Sequence, residues 1–123
     1  MPVPQSLLIV DDNDIMLLTL TRILEQHGFA VKAANSAAAA LELTGAQPVD
    51  LVLMDYHLPG DQGQLGPELK RLRPGLPLIV LSGDPEAAQA VEFADLLLPK
   101  PQPPEKLVAE IRRLLQRKAQ HAA

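Results

Sequence analysis

The side chains best suited to phosphate chemistry stand where short apolar segments end. Two acids follow the first such segment, a third acid follows another, and a serine and a lysine close two more. The segments and their polar residues are Ser6–Val10 with Asp11 and Asp12, Asp50–Met54 with Asp55, Leu78–Leu81 with Ser82, and Leu96–Leu98 with Lys100. Carboxylates bind hard cations, and hydroxyl and ammonium groups stabilise phosphoryl oxygens.

These residue types favour phosphoryl transfer to a carboxylate. Three clustered acids repel one another, and a divalent cation relieves that repulsion. Magnesium suits such a site because it prefers oxygen ligands and keeps waters that a phosphate can displace. Asp55 is then the nucleophile, since aspartate is one of the few side chains that form acyl phosphates. Lys100 neutralises charge on the transferred group, and Ser82 donates a hydrogen bond to it.

The elements that must position these residues alternate between strand and helix. Strands are predicted over 6–10, 29–33, 50–54, 78–81 and 96–98, and helices over 14–27, 36–45, 67–72, 85–93 and around 107–115. This alternation predicts parallel pairing with right-handed crossovers, and the continuous apolar strands predict a sheet covered on both faces. Ligands of open parallel sheets bind outside the carboxyl ends of the strands, where the polar residues fall.

Composition excludes several classes of protein. The 123 residues fit one domain, and 47% hydrophobic content is enough for a core. The formal net charge is −4, which disfavours direct nucleic-acid binding. The chain has no cysteine, so disulfides and thiolate metal sites are excluded. We see neither a signal peptide nor an apolar run long enough for membrane insertion, so a cytoplasmic location is expected.

At these residues the sequence resembles response-regulator receiver domains. The matching pieces, in the family's order, are Leu8–Asn13, Asp50–Asp55, Leu58–Gly60, Ile79–Gly83 and Lys100-Pro101. The resemblance covers nearly the whole chain and implies one receiver domain over residues 1–123, with an ordered core at about 5–118. The implied fold is an α/β, flavodoxin-like (βα)5 three-layer sandwich with strand order 2-1-3-4-5.

The resemblance also implies roles for individual residues. Asp12 and Asp55 would bind Mg2+ directly, Asp11 would act mainly through water, and His57 would offer its backbone carbonyl. The phosphoryl donor would be a histidine kinase or a histidine phosphotransfer protein. Modulating positions are His57 and Asp84, which tune hydrolysis in the family, Gly83 beside the hydroxyl, and Pro101, whose cis bond would aim Lys100 at the site.

The sequence departs from the family at two places. Ser82 and Lys100 are only 18 positions apart, so the fourth helix, over 85–93, is expected to be short. The family's switch aromatic is replaced by Leu97, which has no ring to swing between buried and exposed positions. Both departures fall on the face where relatives often dimerise or bind targets. Formation of a homodimer is therefore one possibility, and the sequence does not identify the downstream protein target.

Other interpretations remain at this stage. Asp11 and Asp12 could cap the following helix instead of binding metal. The whole domain could be a receiver-like interaction module that works without phosphorylation. A magnesium phosphohydrolase would share the nucleophile, but it normally needs an acid two positions after it, where this chain has His57. The leading interpretation is a self-phosphorylating and self-dephosphorylating phosphoacceptor and not a turnover enzyme.

Overall fold

The sheet has five parallel strands in the order β2-β1-β3-β4-β5. The computed structural model describes residues 3–61, 63–83 and 92–121, with side chains up to 118. The elements, in chain order, are β1 (Ser6–Val10), α1 (Asp14–Gln26), β2 (Ala30–Ala34), α2 (Ala37–Ala46), β3 (Leu51–Asp55), α3 (Leu65–Leu72), β4 (Leu78–Ser82), β5 (Leu96–Pro99) and α4 (Pro104–His121). The predicted strand order is confirmed.

Two apolar cores lie on opposite faces of the sheet. Successive strand residues point to opposite faces, so Leu7 and Ile9 enter one core while Leu8 and Val10 enter the other. The first core is completed by α1 and α4, and the second by α2 and α3. The fold is therefore a three-layer sandwich, and burial on both faces explains why the central strands are apolar at nearly every position.

Helix α3 begins two residues earlier than predicted, at Leu65. Its first turn includes Gly66 and Pro67, which had suggested a later start. A proline is tolerated there because the first amide groups of a helix have no intrahelical acceptor. Oδ2 of Asp61 accepts a hydrogen bond from the Leu65 amide at 3.2 Å, which helps to fix this start.

The edge strand β5 ends at Pro99, as its predicted place at the edge allows. Most of the expected short fourth helix falls on residues 84–91, which lie outside the described residues. The label α4 therefore belongs to the next helix along the chain, which is the one predicted around 107–115. No helix in the described ranges is long and apolar enough to cross a membrane.

Candidate functional site

The polar residues singled out from the sequence meet at the carboxyl edge of the sheet. Asp55 and Ser82 are the last residues of β3 and β4, and Lys100 follows β5 directly. Asp11 and Asp12 follow β1, which pairs with β3. Because β1, β3, β4 and β5 are consecutive neighbours and all parallel, their ends share one rim.

Three carboxylates form a cluster on this rim. Asp11, Asp12 and Asp55 each offer an oxygen, and these oxygens all lie within 4.8 Å of one another. Asp11 is buried, Asp55 is half-buried and Asp12 is exposed. The cluster therefore runs from the protein interior to solvent, with Asp55 between the two extremes.

Asp11 is held rigidly at the buried end of the cluster. Its Oδ1 accepts a hydrogen bond from the Asn13 amide at 2.9 Å, and its own amide donates to the Ala34 carbonyl at 3.1 Å. Burial raises the pKa of the Asp11 carboxyl above its usual range, and the Asp55 charge adds to this, while the Asn13 amide and Lys100 oppose it. The ionised cluster is thus electrostatically costly in the absence of a cation.

Lys100 supplies positive charge to two members of the cluster. Its Nζ lies 3.1 Å from Oδ1 of Asp55 and 3.4 Å from Oδ2 of Asp11. The backbone of Lys100 is tied to the neighbouring strand, since its amide donates to the Ser82 carbonyl at 3.1 Å. The Lys100–Pro101 peptide bond is cis, the form that the resemblance implied.

Asp12 and Asp55 face an open cavity of about 360 Å³. His57, Leu58 and Pro59 complete its lining. The His57 ring is exposed and meets the Tyr56 ring edge-on, with 4.8 Å between ring centroids. The cavity gives an incoming group access to Asp55 from the Asp12 side, opposite the buried Asp11.

Ser82 and its neighbours border the same site. Ser82 is buried at the end of β4, and Gly83 is exposed in the bend that follows. Asp84, expected to tune hydrolysis, lies outside the described residues. Leu97, at the position where the resemblance implies a switch residue, is half-buried in β5 and packs in the core on the α2–α3 face.

The side chains of Asp11 and Asp12 do not cap helix α1, so the interpretation of these two acids as simple caps is wrong. The cap of α1 is Asn13, whose Oδ1 accepts hydrogen bonds from the amides of Ile15 and Met16 at 3.0 and 3.1 Å. Asn13 was not among the residues predicted to be functional or capping, although an asparagine directly before a helical pattern is a usual cap. With the cap supplied by Asn13, the two acids are left for the cluster.

A close contact between Gly66 and Phe93 was also not predicted from the sequence. The Phe93 ring lies so close to the backbone of α3 that a Cβ at Gly66 would overlap it. The glycine in the first turn of α3 was the one sequence feature that could have indicated a close contact, and it does not identify the residue that makes the contact. The contact joins the chain just before β5 to the helix that follows the Asp55 loop.

The donor set fits a hard divalent cation. All three cluster residues offer carboxylate oxygens, which Mg2+ prefers, and the groups found here include no sulfur or nitrogen ligand. Oxygens that lie within 4.8 Å of one another can bind a single Mg2+ directly or through one of its waters. The cation would also offset the Asp55 repulsion, which adds to the effect of burial in raising the pKa of Asp11.

Comparison with known proteins gives one consistent family. The protein-family model described as "Response regulator receiver domain" matches residues 7–112 of this chain. Protein PetR of Rhodobacter capsulatus is 32% identical over 118 residues, covering 93% of this chain and 50% of PetR. Response regulator MprA of Mycobacterium leprae is 33% identical over 116 residues, covering 90% of this chain and 51% of MprA. The chain thus spans about half the length of these relatives.

Solved structures agree with this result. A CheY-like receiver domain protein from Methanospirillum hungatei JF-1 is 29% identical with a TM-score of 0.91, covering 97% of this chain and 99% of that one. A response regulator from Burkholderia pseudomallei, solved with a phosphorylated aspartic acid, calcium ion and citrate, is 34% identical with a TM-score of 0.81. That match covers 97% of this chain and 73% of the other. The chain therefore belongs to the response regulator receiver domains.

Proposed function

We propose that Asp55 accepts a phosphoryl group in a magnesium-dependent reaction. The observation that carries the proposal is the position of Asp55 between a carboxylate cluster and an ammonium group. Its Oδ1 lies 3.1 Å from Nζ of Lys100, and its carboxylate shares the cluster with Asp11 and Asp12. Phosphoryl transfer uses a bound cation and a lysine, and both charges would lie beside this one side chain.

The reaction assigns one task to each residue. A carboxylate oxygen of Asp55 attacks the phosphorus of the donor, forming a new P–O bond while the donor's P–N bond breaks and its imidazole leaves. Asp12, Asp55 and the His57 carbonyl would hold Mg2+, with Asp11 acting through water, and the bound cation would supply neutralising charge for the phosphoryl oxygens. Lys100 neutralises a further oxygen, and the Ser82 hydroxyl donates a hydrogen bond to the transferred group.

The donor we propose is a phosphohistidine of a histidine kinase or a histidine phosphotransfer protein. Receiver domains are signalling modules and not turnover enzymes. The phosphorylated aspartic acid of the Burkholderia pseudomallei relative supports the assignment of an aspartate as acceptor. Several relatives are named transcriptional regulatory proteins or response regulators. We therefore propose that the modified domain signals to a protein target through a change in conformation.

The test is intact-mass measurement after incubation with Mg2+ and acetyl phosphate. We expect the mass of one phosphoryl group, located on Asp55 by fragmentation, and its absence in Asp55→Asn or in EDTA. Asp14→Asn is the matched control, since Asp14 is an exposed acid on the same rim outside the cluster.

Other results would replace the proposal. If wild-type protein gains no mass, the domain works as an interaction module without phosphorylation. If it releases phosphate in many rapid turnovers from a small phosphoester, it is a phosphohydrolase.

A further inference from the structure

The end of the sheet opposite the Asp55 site carries a second cavity, of about 460 Å³. It opens where α3 leads into β4, beside the start of β5 and the last turns of α4. Since the strands are parallel and about five residues long, roughly 16 Å separates this end from the carboxyl edge. Nothing in the proposed phosphoryl chemistry uses it.

Part of the lining of this cavity is apolar. It is formed by Pro74 and Pro77 from the α3–β4 connection and by Leu114 from α4. Pro77 and Leu114 are buried, while Pro74 is exposed at the rim. A volume of this size lies in the range of small-molecule sites, which are largely apolar with a few polar groups.

The charged part of the lining is mainly cationic. It consists of Lys70, Arg117 and Lys118, together with a single acid among the lining residues that the structure describes, Asp95. Arg117 and Lys118 are exposed and lie one after the other in α4. The chain as a whole has a net charge of −4, so a concentration of cations here runs against its overall composition.

Asp95 does not cancel these charges, because it is already paired. Its Oδ2 accepts hydrogen bonds from Nζ of Lys70 at 2.6 Å and from the Leu78 amide at 2.8 Å. Nζ of Lys70 also donates to the Leu76 carbonyl at 2.7 Å. Lys70 and Asp95 thus form a neutral, hydrogen-bonded pair in the lining, and Arg117 and Lys118 have no acidic partner among the residues that the structure describes.

We propose that this cavity binds a nucleotide. Its phosphate groups would lie against Arg117 and Lys118, and its flat base against the apolar lining of Pro74, Pro77 and Leu114. The base distinguishes this ligand from a simple anion, which would leave the apolar lining unused. The guanidinium of Arg117 matches phosphate oxygens in pairs, and Lys118 adds a point charge.

A purely structural role for the two cations makes a different prediction. Cations in the last turns of a helix interact favourably with its dipole, which affects stability and not ligand binding. Reversal of their charge would then lower the free energy of unfolding slightly and would leave no binding event to lose.

The experiment is a calorimetric titration of the whole chain with ATP, AMP, adenosine and inorganic phosphate. The same ligands are then added in an NMR titration, in which the backbone amide chemical shifts are measured. EDTA is present throughout, so that phosphate cannot bind through a metal at the Asp55 site. We expect ATP and AMP to bind more tightly than either adenosine or phosphate, with shifts at Gly75 and Leu114. The double variant Arg117→Glu/Lys118→Glu should weaken binding by at least about tenfold.

The matched control is Arg22→Glu/Lys106→Glu, which makes the same change in net charge at exposed positions away from the cavity. It should bind ATP as wild type does. The proposal is overturned if no nucleotide binds, if the two double variants lose affinity equally, or if phosphate alone binds as tightly as AMP. Phosphorylation of Asp55 is measured separately and does not depend on any of these results.

Discussion

Nζ of Lys100 lies 3.1 Å from Oδ1 of Asp55, and the same ammonium group reaches Asp11 at 3.4 Å. The lysine thus partly neutralises two acids before any phosphoryl group arrives. In a receiver domain this contact places a positive charge beside the oxygen that we propose as the nucleophile, on the interior side of the open cavity.

Replacement of Lys100 should slow phosphorylation without unfolding the domain. Lys100→Met keeps the length of a side chain that is 29% exposed but removes its charge. Loss of one preorganised electrostatic contact to a developing anion typically costs about 10²-fold in rate. We expect a fall of that order in the rate of Asp55 modification by acetyl phosphate with saturating Mg2+. Lys106→Met is the control, and equal rates in both variants would contradict the role assigned to Lys100.

Mg2+ should stabilise the native domain. A ligand that binds only the folded state at ten times its Kd adds about 1.4 kcal/mol to the free energy of unfolding. We expect this increase in urea unfolding followed by circular dichroism when Mg2+ replaces EDTA. Asp12→Asn should reduce the increase sharply, and Asp14→Asn should leave it intact. A gain that persists undiminished in Asp12→Asn would show that the cation binds elsewhere.

The raised pKa of Asp11 predicts how stability depends on pH in EDTA. Because the folded state holds this proton more tightly than the unfolded chain, the contribution of Asp11 is most favourable at low pH. It is lost as the pH rises from the usual carboxyl range through the raised pKa. Asp11→Asn keeps an oxygen for the Asn13 amide and removes the buried charge.

The Asp11→Asn variant should therefore be more stable than wild type at neutral pH in EDTA, and the difference should disappear in acid. The measurement is the free energy of unfolding across this pH range. A variant less stable than wild type at neutral pH would mean that the attraction of Lys100 outweighs the cost of burial.

The contact between Gly66 and Phe93 should make one glycine intolerant of alanine. A Cβ at Gly66 would overlap the ring, and forced overpacking typically costs about 1–3 kcal/mol. Gly45 is the matched control, since a Cβ there meets nothing within 4 Å and alanine in a helix gains about 0.5–1 kcal/mol. Thermal and urea unfolding of both variants measure the difference.

The partner of Gly66 is tested by a second change. Phe93→Leu should restore part of the stability lost in Gly66→Ala, because the smaller side chain leaves room for the added methyl group. If Gly66→Ala is as stable as wild type, the ring moves aside without cost and the contact has no role in fixing α3.

Residue type and spacing were enough to predict the strands and helices that the structure describes, apart from their exact ends, and the chemical character of the strand ends. Apolar runs closed by Asp11, Asp12, Asp55, Ser82 and Lys100 indicate buried parallel strands with a polar rim, because burial and residue type act over a few neighbouring residues. The order of the motifs indicated the family, and the family resemblance predicted the strand order, which the spacing of residues alone does not supply. The main errors lay at the ends of elements, as at Leu65, where an early proline is tolerated within the first turn.

Which groups share a site, and at what distance, depends on the packing of the whole domain. The pairing of β1 with β3, and of β4 with β5, brings Lys100 to Asp11 across 89 positions of the chain. Packing likewise sets the burial that raises the pKa of Asp11, joins Phe93 to Gly66, and gathers Arg117 and Lys118 beside Pro74 and Pro77. Distances and dielectric surroundings depend on how whole elements pack, and no pattern within one element records them.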